Sequence, residues 1–194
     1  MSLKPAMRAR IYPFDTPSST HDWHSINDGV MGGASSSQLR FDSARYAVFE
    51  GEISLQNNGG FASVRMSSLP LGDPGTRAYL LTAWGDGRTY KLNLRTDAGF
   101  DGVNYQASFV PVAGQWTQTV LPVADFLATF RGRPMPAAPA LRPELVTQVG
   151  LMISDKQAGP FQLLVRSIAA IESTPDKAID VDAGTSPPRL VARR

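Results

Sequence analysis

Apolar and polar side chains alternate along most of the chain between residues 39 and 172, and this pattern constrains the possible folds more than any other feature. In the segment 89–95, the apolar side chains point to one face, and Lys91, Asn93 and Arg95 point to the other. A period of two residues is typical of a β-strand that buries one face and exposes the other. The same pattern predicts further strands at 46–56, 61–67, 77–84, 103–110, 115–121, 147–153 and 161–171.

Short turns rich in glycine and asparagine separate the predicted strands. They are Asn57-Asn58-Gly59-Gly60, Gly85-Asp86-Gly87 and Asp101-Gly102. Because Gly and Asn tolerate the positive φ of tight turns, we expect a hairpin at each of them. We expect only short helical pieces, at 123–129 and 143–147, since no amphipathic stretch exceeds about three helical turns. The sequence therefore predicts an all-β fold in which two antiparallel sheets pack face to face as a jelly-roll-like β-sandwich.

One domain accounts for the length of the chain, because 194 residues with 42% hydrophobic content are enough to fill one core. We place the single β-sandwich domain at residues 14–173, after an N-terminal arm at 1–13. Residues 174–194 are rich in Pro, Asp, Ala, Gly and Ser and end in basic residues, so we expect a flexible C-terminal tail.

The charge and the residue types exclude several classes of partner. A formal net charge of +2 is too small for the dense phosphate neutralisation that nucleic-acid binding requires. No apolar run approaches the ~20 residues of a transmembrane segment, and the chain has no cysteine for disulfides or thiolate metal sites. The start of the chain lacks the apolar core of a secretory signal, so we expect a cytoplasmic protein. The mitochondrial matrix would be its location only if a transit peptide preceded this sequence.

Two histidines, His21 and His24, are the only imidazoles available for metal binding or acid–base chemistry. One hypothesis joins them with Asp22 or Asp28 in a metal site, but their spacing supplies no defined third ligand, and we favour exposed loop residues. The glycine-rich run at 27–33 lacks the Gly-Lys-Ser/Thr of a phosphate-binding loop, and we interpret it as a tight turn. We therefore predict no metal and no cofactor.

The sequence contains no complete constellation for hydrolysis. The serines at 35–37 lack the Gly-x-Ser-x-Gly elbow of serine hydrolases. Glu50 and Glu52 share one face of a predicted strand, about 7 Å apart, and we interpret both as solvent-facing side chains. We therefore predict that the protein is not an enzyme, and we keep a hydrolase that uses Asp28, Asp86 or Glu50 as a remaining alternative.

Several longer strings combine turn residues with flanking apolar residues. The first three are Trp23-x-x-Ile26-Asn27-Asp28-Gly29-Val30-Met31-Gly32-Gly33-x-Ser35, Phe49-x-Gly51-x-Ile53-Ser54-Leu55-x-Asn57-Asn58-Gly59-Gly60-Phe61-Ala62-Ser63-Val64-Arg65 and Gly85-Asp86-Gly87-Arg88-x-Tyr90. A later one is Gly150-Leu151-Met152-Ile153-Ser154-Asp155-Lys156-Gln157-x-Gly159-Pro160-Phe161. In these strings, and in their order, the chain resembles the complex I intermediate-associated protein family over about residues 14 to 172.

This resemblance implies a galactose-binding-like β-sandwich, in agreement with the predicted strands. It also implies a non-catalytic role, because the mitochondrial members are assembly chaperones for respiratory complex I. The chain lacks the long N-terminal extension of those members and resembles a compact, bacterial-type version. Carbohydrate binders share this fold, so the fold alone does not decide between functions.

Polar residues in or beside rigid turns are the candidate binding residues, because loops on a stiff scaffold commonly carry binding sites. An aromatic residue, Trp84, joins them as an anchor for a partner. The twelve candidates are Asn27, Asp28, Asn57, Asn58, Arg65, Trp84, Asp86, Arg88, Arg95, Asp155, Lys156 and Gln157. The polar candidates either bind a partner or hydrogen-bond one another to brace the loops, and the sequence leaves both interpretations open.

The leading functional hypothesis is a protein-interaction or assembly module whose partner is another protein. The alternative is a carbohydrate-binding module, in which some of the three Trp and five Tyr side chains would stack on sugar rings in an exposed groove. The position of the aromatic side chains separates the two hypotheses. Burial of Trp23, Trp84 and Trp116 together would remove the carbohydrate-binding alternative.

Overall fold

The computed structural model describes residues 9–172, except for the side chains of Val30 and Met31. Within this part of the chain there are thirteen strands and five 3-10 helices. None of these helices has the length and hydrophobicity needed to cross a bilayer. Residues 9–13 of the predicted arm form a strand that pairs with the last strand of the domain, and the predicted tail at 174–194 lies outside the described residues.

Two antiparallel sheets contain the thirteen strands, which we number along the chain. The first sheet contains β1 (Ala9–Pro13), β3 (Ser36–Asp42), β4 (Tyr46–Ile53), β6 (Ala78–Trp84), β9 (Trp116–Pro122) and β13 (Gly159–Ile171). The second sheet contains β2 (Trp23–Ser25), β5 (Ala62–Met66), β7 (Tyr90–Arg95), β8 (Asn104–Phe109), β10 (Leu127–Phe130), β11 (Arg133–Pro134) and β12 (Gln148–Ile153). The first sheet has the order β3-β4-β13-β6-β9, with β1 beside β13, and the second has the order β11-β10-β8-β7-β12-β5-β2.

The hydrophobic core lies between the two sheets and consists of alternate residues from both. Leu92 on β7 and Leu151 on β12 are fully buried on the inner face of the second sheet, opposite Leu163 on β13. Aromatic contacts join the sheets, for example between Phe49 and Tyr90, whose ring centroids are 6.4 Å apart. Each fully buried side chain of this size stabilises the fold by about 1.5–3 kcal/mol. This core makes both sheets stiff supports for the residues on their outer faces.

The predicted fold class is confirmed, and the eight strands expected from the alternating pattern correspond to β4 to β9, β12 and β13. Side-chain burial follows the predicted period on β5, β7 and β8, as in β8, where Tyr105, Ala107 and Phe109 are buried. On these three strands the alternating pattern records which side chains face the core.

The expectation of a hairpin at each of three turns is wrong for two of them. The turn at 57–60 connects β4 to β5, and the turn at 85–87 connects β6 to β7, and in both cases the two strands belong to different sheets. Only the turn that contains Asp101 joins strands that pair with each other, β7 and β8. Positive φ values at Asn57 and Asn58, 53° and 59°, turn the chain across to the opposite sheet instead of folding it back on its neighbour.

The helical pieces expected at 123–129 and 143–147 are shorter than predicted. The first is a 3-10 helix at Val123–Asp125, after which the chain forms β10 and pairs with β8. The second is a 3-10 helix at Pro143–Leu145. Local helix propensity is a weak preference, and pairing with an existing sheet edge overrides it.

Candidate functional site

A row of mainly polar residues crosses the outer face of the second sheet. The strand register places six residues side by side: His24, Arg65, Gly150, Asn93, Gln106 and Leu127. Their neighbours along the strands, such as Leu92 and Leu151, are buried in the core, so the row faces away from it.

The four central members of this row, Arg65, Gly150, Asn93 and Gln106, line a groove of about 820 Å³. Gly150 leaves the floor of the groove open, because a Cβ atom there would lie 3.6 Å from the Cβ atoms of both Arg65 and Asn93. Loop residues at 58–61, 100–102 and 154–156 complete the lining. The rigid sheet therefore forms the floor of the groove, and the surrounding loops form its walls.

Two arginines converge at one end of the groove. Arg65 Nη2 donates to the Phe100 carbonyl oxygen at 3.3 Å, and Arg95 Nη1 donates to the same oxygen at 2.6 Å. The Arg65 guanidinium also lies over the Phe100 ring, 5.2 Å from its centroid. Burial and the neighbouring charge of Arg95 lower the pKa of Arg65. This end of the groove therefore holds two positively charged guanidinium groups that are partly shielded from water.

Ion pairs hold other charged side chains of the lining. Lys91 Nζ lies 3.0 Å from Asp155 Oδ1, and Arg131 Nε donates to Asp101 Oδ2 at 3.1 Å. Lys156 has no ion-pair partner among residues 9–172, and its φ of 57° places it in the left-handed region. Both carboxylates of the lining are thus occupied by a cation, and the remaining charge of the groove is positive.

Buried polar atoms without a hydrogen-bond partner are concentrated in this groove. Within residues 9–172 there are seven such side-chain atoms, and five of them belong to lining residues. These five are Arg65 Nε, Asn93 Oδ1, Arg95 Nε, Asn104 Oδ1 and Ser154 Oγ. Buried polar groups are nearly always hydrogen-bonded in folded proteins, so this concentration marks the groove lining as the least self-satisfied polar region of residues 9–172.

The structure places the twelve candidate residues in two sets. Five line the groove: Asn58, Arg65, Arg95, Asp155 and Lys156. Seven lie elsewhere: Asn27, Asp28, Asn57, Trp84, Asp86, Arg88 and Gln157. The polar members of the second set hydrogen-bond to other groups of the protein itself.

Asp28 is fully buried and joins two loops. Its carboxylate accepts hydrogen bonds from the Ser35 backbone N at 2.9 Å, the Gly60 N at 2.7 Å and the Phe61 N at 3.3 Å, and also from the Ser35 hydroxyl. Burial alone would raise the pKa of Asp28, but these hydrogen bonds outweigh it and lower the pKa. The carboxylate is therefore ionised and used as a structural brace.

Asn27 and Asn57 are braces of the same kind. Asn27 Oδ1 accepts hydrogen bonds from the Ser37 hydroxyl at 2.7 Å and the Ser63 backbone N at 3.1 Å. Asn57 Nδ2 donates to the Gly32 carbonyl oxygen at 3.0 Å. Asn27 thus ties the segment after β2 to β3 and β5, and Asn57 ties the connection between β4 and β5 to Gly32, which follows the 3-10 helix at Asp28–Met31.

A second bracing cluster surrounds Arg88 and Gln157. Arg88 Nη1 donates to the Gln157 carbonyl oxygen at 2.7 Å, and Gln157 bonds to both the N and the O of Thr89. Asp86 accepts from the Tyr90 hydroxyl at 2.9 Å and from the Gln162 backbone N at 3.1 Å. These bonds fix the connection between β6 and β7 against the start of β13 and the residues just before it.

Trp84 lies on the other sheet and is buried, with 8% of its surface exposed. It packs against Tyr46, Val48 and Leu164. Its own neighbours on the first sheet therefore cover Trp84, and its role as an anchor for a partner stays a prediction.

The histidines and the glutamate pair lie outside the groove. His21 and His24 are exposed, and within residues 9–172 no three His, Asp or Glu side chains could hold a metal ion together. Glu50 lies on the first sheet and accepts hydrogen bonds from Arg40, Gln38 and Gln162. Burial would raise its pKa, but these bonds lower it. Glu50 is thus an ionised, paired carboxylate.

Residue-by-residue reasoning missed much of the groove. The missed lining residues include Lys91, Asn93, Asn104, Gln106, Phe100, Arg131 and Met152. The sequence did indicate part of the lining, because the alternation in 89–95 already placed Lys91, Asn93 and Arg95 on one polar face of a strand. The convergence of that face with β5, β8 and β12 follows only from the strand order.

Solved structures with the same arrangement define the class of this domain. A family 11 carbohydrate-binding module of a cellulosomal cellulase from Clostridium thermocellum aligns with a TM-score of 0.64 at 14% identity, over 85% of this chain and 95% of that one. A family 29 carbohydrate-binding module aligns with a TM-score of 0.52 at 8% identity, over 90% of this chain and 98% of that one. At such identities the likeness concerns the fold alone. The domain shares its two-sheet β-sandwich fold with these modules.

The family follows from the sequence comparisons. The model of the family described as Complex I intermediate-associated protein 30 matches residues 12–165, and the chain belongs to this family. A Neurospora crassa protein named Complex I intermediate-associated protein 30, mitochondrial, is 26% identical over 200 residues, covering 82% of this chain and 72% of that protein. An uncharacterized protein from Schizosaccharomyces pombe is 28% identical over 184 residues, covering 81% and 82%.

Proposed function

We propose that this chain is a non-catalytic protein-binding module of the assembly-factor type, and that the groove on the second sheet holds its partner. The observation that carries the proposal is a groove on the outer face of the second sheet that is lined by the Asn93, Asn104 and Gln106 amides and by Arg65 and Lys156, two cations without an ion-pair partner in residues 9–172. Family membership supports it, since the relative from Neurospora crassa is named for association with complex I intermediates. An intermediate of that complex is the partner that this name suggests. The cytoplasmic, bacterial location stays a prediction, because that relative is named as mitochondrial.

The chemistry of the groove suits a polypeptide. Asn93, Asn104 and Gln106 carry amide groups that donate and accept hydrogen bonds, as the backbone N–H and C=O groups of a partner do. Two of these amides have an oxygen without a donor. An extended segment lying along the groove would run beside these amides and offer them its own backbone N–H and C=O groups.

The absence of an acid–base pair in the described part of the groove supports a non-catalytic role. Proton transfer needs a titratable side chain that is free to exchange a proton with the substrate. Asp101 and Asp155 are the carboxylates of the lining, and each is paired with a cation. Asp28, Asp86 and Glu50, the residues of the hydrolase alternative, do not line the groove and already accept several hydrogen bonds.

Carbohydrate binding is the second candidate function, favoured by a polar groove on the outer face of a sheet. The aromatic side chains give it little support. Trp23 and Trp84 are buried, and Trp116 is half-buried beneath Arg166, whose guanidinium lies 4.2 Å from its ring centroid. No Trp or Tyr side chain within residues 9–172 lines the groove, and its most exposed aromatic residue is Phe100. The stacking platform that sugar rings require is therefore reduced to one phenylalanine ring.

Photo-crosslinking in the native host tests the proposal. A photoreactive amino acid replaces Gln106 in the groove and, as a matched control, Gln118, a half-buried glutamine on β9 of the opposite sheet. We expect discrete protein adducts at position 106, identified by mass spectrometry, and none above background at position 118. Equal labelling at both positions, or no protein adduct at 106 together with binding to a glycan array, would contradict the proposal.

A further inference from the structure

We infer that Arg65 binds a carboxylate of the partner, an Asp or Glu side chain, and that Arg95 and Phe100 hold its guanidinium in position. The inference rests on the proposed function, because it names the chemistry of the polypeptide that the groove would hold. It makes Arg65 the contact residue and makes Arg95 a positioning residue.

The first support is the geometry around the Phe100 carbonyl. Arg65 and Arg95 both donate to this single neutral oxygen, at 3.3 and 2.6 Å. The Phe100 ring lies over the Arg65 guanidinium at 5.2 Å. These contacts fix the Arg65 side chain and remove much of the conformational entropy that a free arginine would lose on binding.

The second support is the charge balance. Arg95 is paired with Asp97, Nη2 to Oδ1 at 3.1 Å, whereas no Asp or Glu within residues 9–172 forms an ion pair with Arg65. Arg65 Nε is also buried without an acceptor. A partly desolvated cation beside a second cation is unfavourable unless an anion neutralises it. Asp97 offsets part of this positive charge, and a bound carboxylate would supply the rest of the counter-charge.

The third support is the room beside Arg65 and the groups that surround it. Gly150 separates Arg65 from Asn93 on the floor of the groove, so a side chain of a bound segment has access between them. Carboxylate oxygens match the fork of guanidinium donors. Phosphate matches the fork as well, but the amides of Asn93 and Gln106 next to it complement a peptide backbone. These features favour an acidic peptide over free phosphate.

Titration of the full chain with short peptides tests this inference. The probes are a capped peptide of alternating glycine and glutamate, the same peptide with glutamine in place of glutamate, and inorganic phosphate. We expect the glutamate peptide to bind at least about tenfold more tightly than the glutamine peptide, with an affinity that falls as salt rises. Arg65→Gln should remove this preference, and Arg65→Lys should retain part of it, because lysine keeps the charge and loses the fork.

Arg142→Gln is the matched control, because Arg142 forms an exposed ion pair with Glu144 away from the groove. It should leave both peptide affinities unchanged. Equal binding of the two peptides, binding of neither, or a glutamate preference that survives Arg65→Gln would overturn the inference. Phosphate binding that is tighter than glutamate-peptide binding and sensitive to Arg65→Gln would overturn it in favour of free phosphate. If Arg65→Gln does not fold, the two peptides on the unaltered chain decide the matter.

The peptide titration and the crosslinking experiment fail in different ways. Protein adducts at position 106 without a glutamate preference would overturn the carboxylate site and leave the proposed function standing. A glutamate preference without any protein adduct in the cell would overturn the proposed function, whatever the peptides show in solution.

Discussion

The carboxylate of Asp28 shows how one side chain organises the loops around a β-sandwich. It connects the segment after β2 to the segment before β5 through bonds to Ser35, Gly60 and Phe61. The neighbouring Gly33 and Gly59 have no side chain for a physical reason, since a Cβ atom at either position would overlap the Asp28 carboxylate. Several residues in the strings that resemble the family, among them Gly33, Ser35, Gly59 and Gly60, therefore surround the ionised Asp28 carboxylate.

Asp28→Asn should lower the free energy of unfolding by about 3 kcal/mol, because it replaces a charged acceptor by an amide that cannot accept from every donor around it. Urea unfolding of the full chain measures this loss. Asp22→Asn is the matched control, since Asp22 is exposed, and it should change stability by less than about 0.5 kcal/mol. Equal stability of the two variants would contradict the bracing role of Asp28.

The pH dependence of this difference checks its electrostatic origin. The hydrogen bonds lower the pKa of Asp28 in the folded state below the unfolded value of about 3.9. Its contribution is therefore fully present above that pH and is lost as pH falls through the folded pKa. The stability gap between the native chain and Asp28→Asn should be constant from about pH 5 to 7 and should narrow below about pH 4. A gap that stays constant in acid would indicate a packing defect instead.

At the scale of elements, the strands that could be predicted are those whose alternating residues face one core. The strands that were missed, β1, β2, β3, β10 and β11, have weaker patterns because they are short or lie at sheet edges. Ile11 on β1 and Leu127 on β10 are 61% and 68% exposed, so apolar character there does not report burial. Edge strands form through pairing with a neighbour, which a local pattern does not encode.

Close pairing of β3 with β4 depends on Gly51. A Cβ atom at this position would overlap the carbonyl oxygen of Ser36 on the neighbouring strand. Gly51→Ala should therefore lower the free energy of unfolding by about 2 kcal/mol or more, measured by thermal or urea unfolding. Gly29→Ala is the control, because nothing lies within 4 Å of a Cβ atom there, and it should have little effect. Similar losses in both variants would show that the β3–β4 contact is looser than described.

At the scale of the whole molecule, the groove is a product of strand order. Arg65, Asn93 and Gln106 are distant in sequence and become neighbours because β5, β12, β7 and β8 lie side by side. The sequence predicted which face of β7 is polar, but it could not predict the order that brings four polar faces together. The turn residues stand out in the sequence as motifs, but in the structure most of them hydrogen-bond to other parts of the protein and brace the loops.

The arrangement separates stability from binding. The braces at Asp28 and Arg88 fix the connections between the sheets, and the core between the sheets holds the groove floor flat. The groove lining holds five of the seven buried polar atoms that lack a hydrogen-bond partner in residues 9–172, and it holds an arginine, Arg65, that has no ion-pair partner there. Under the proposed function, this polar lining is the surface that contacts the partner, and the braces keep it rigid.

The most direct test of the central claim is whether blocking the groove removes the partner. Chains with Gln106→Trp and, as the matched control, Gln118→Trp are expressed in a native host that lacks the unaltered protein, and the size of the complex is measured by native gel electrophoresis. We predict that Gln118→Trp migrates in the same complex as the unaltered chain, while Gln106→Trp, equally folded, migrates as the free protein. A complex that forms normally with Gln106→Trp, or that is lost only with Gln118→Trp, would contradict the account.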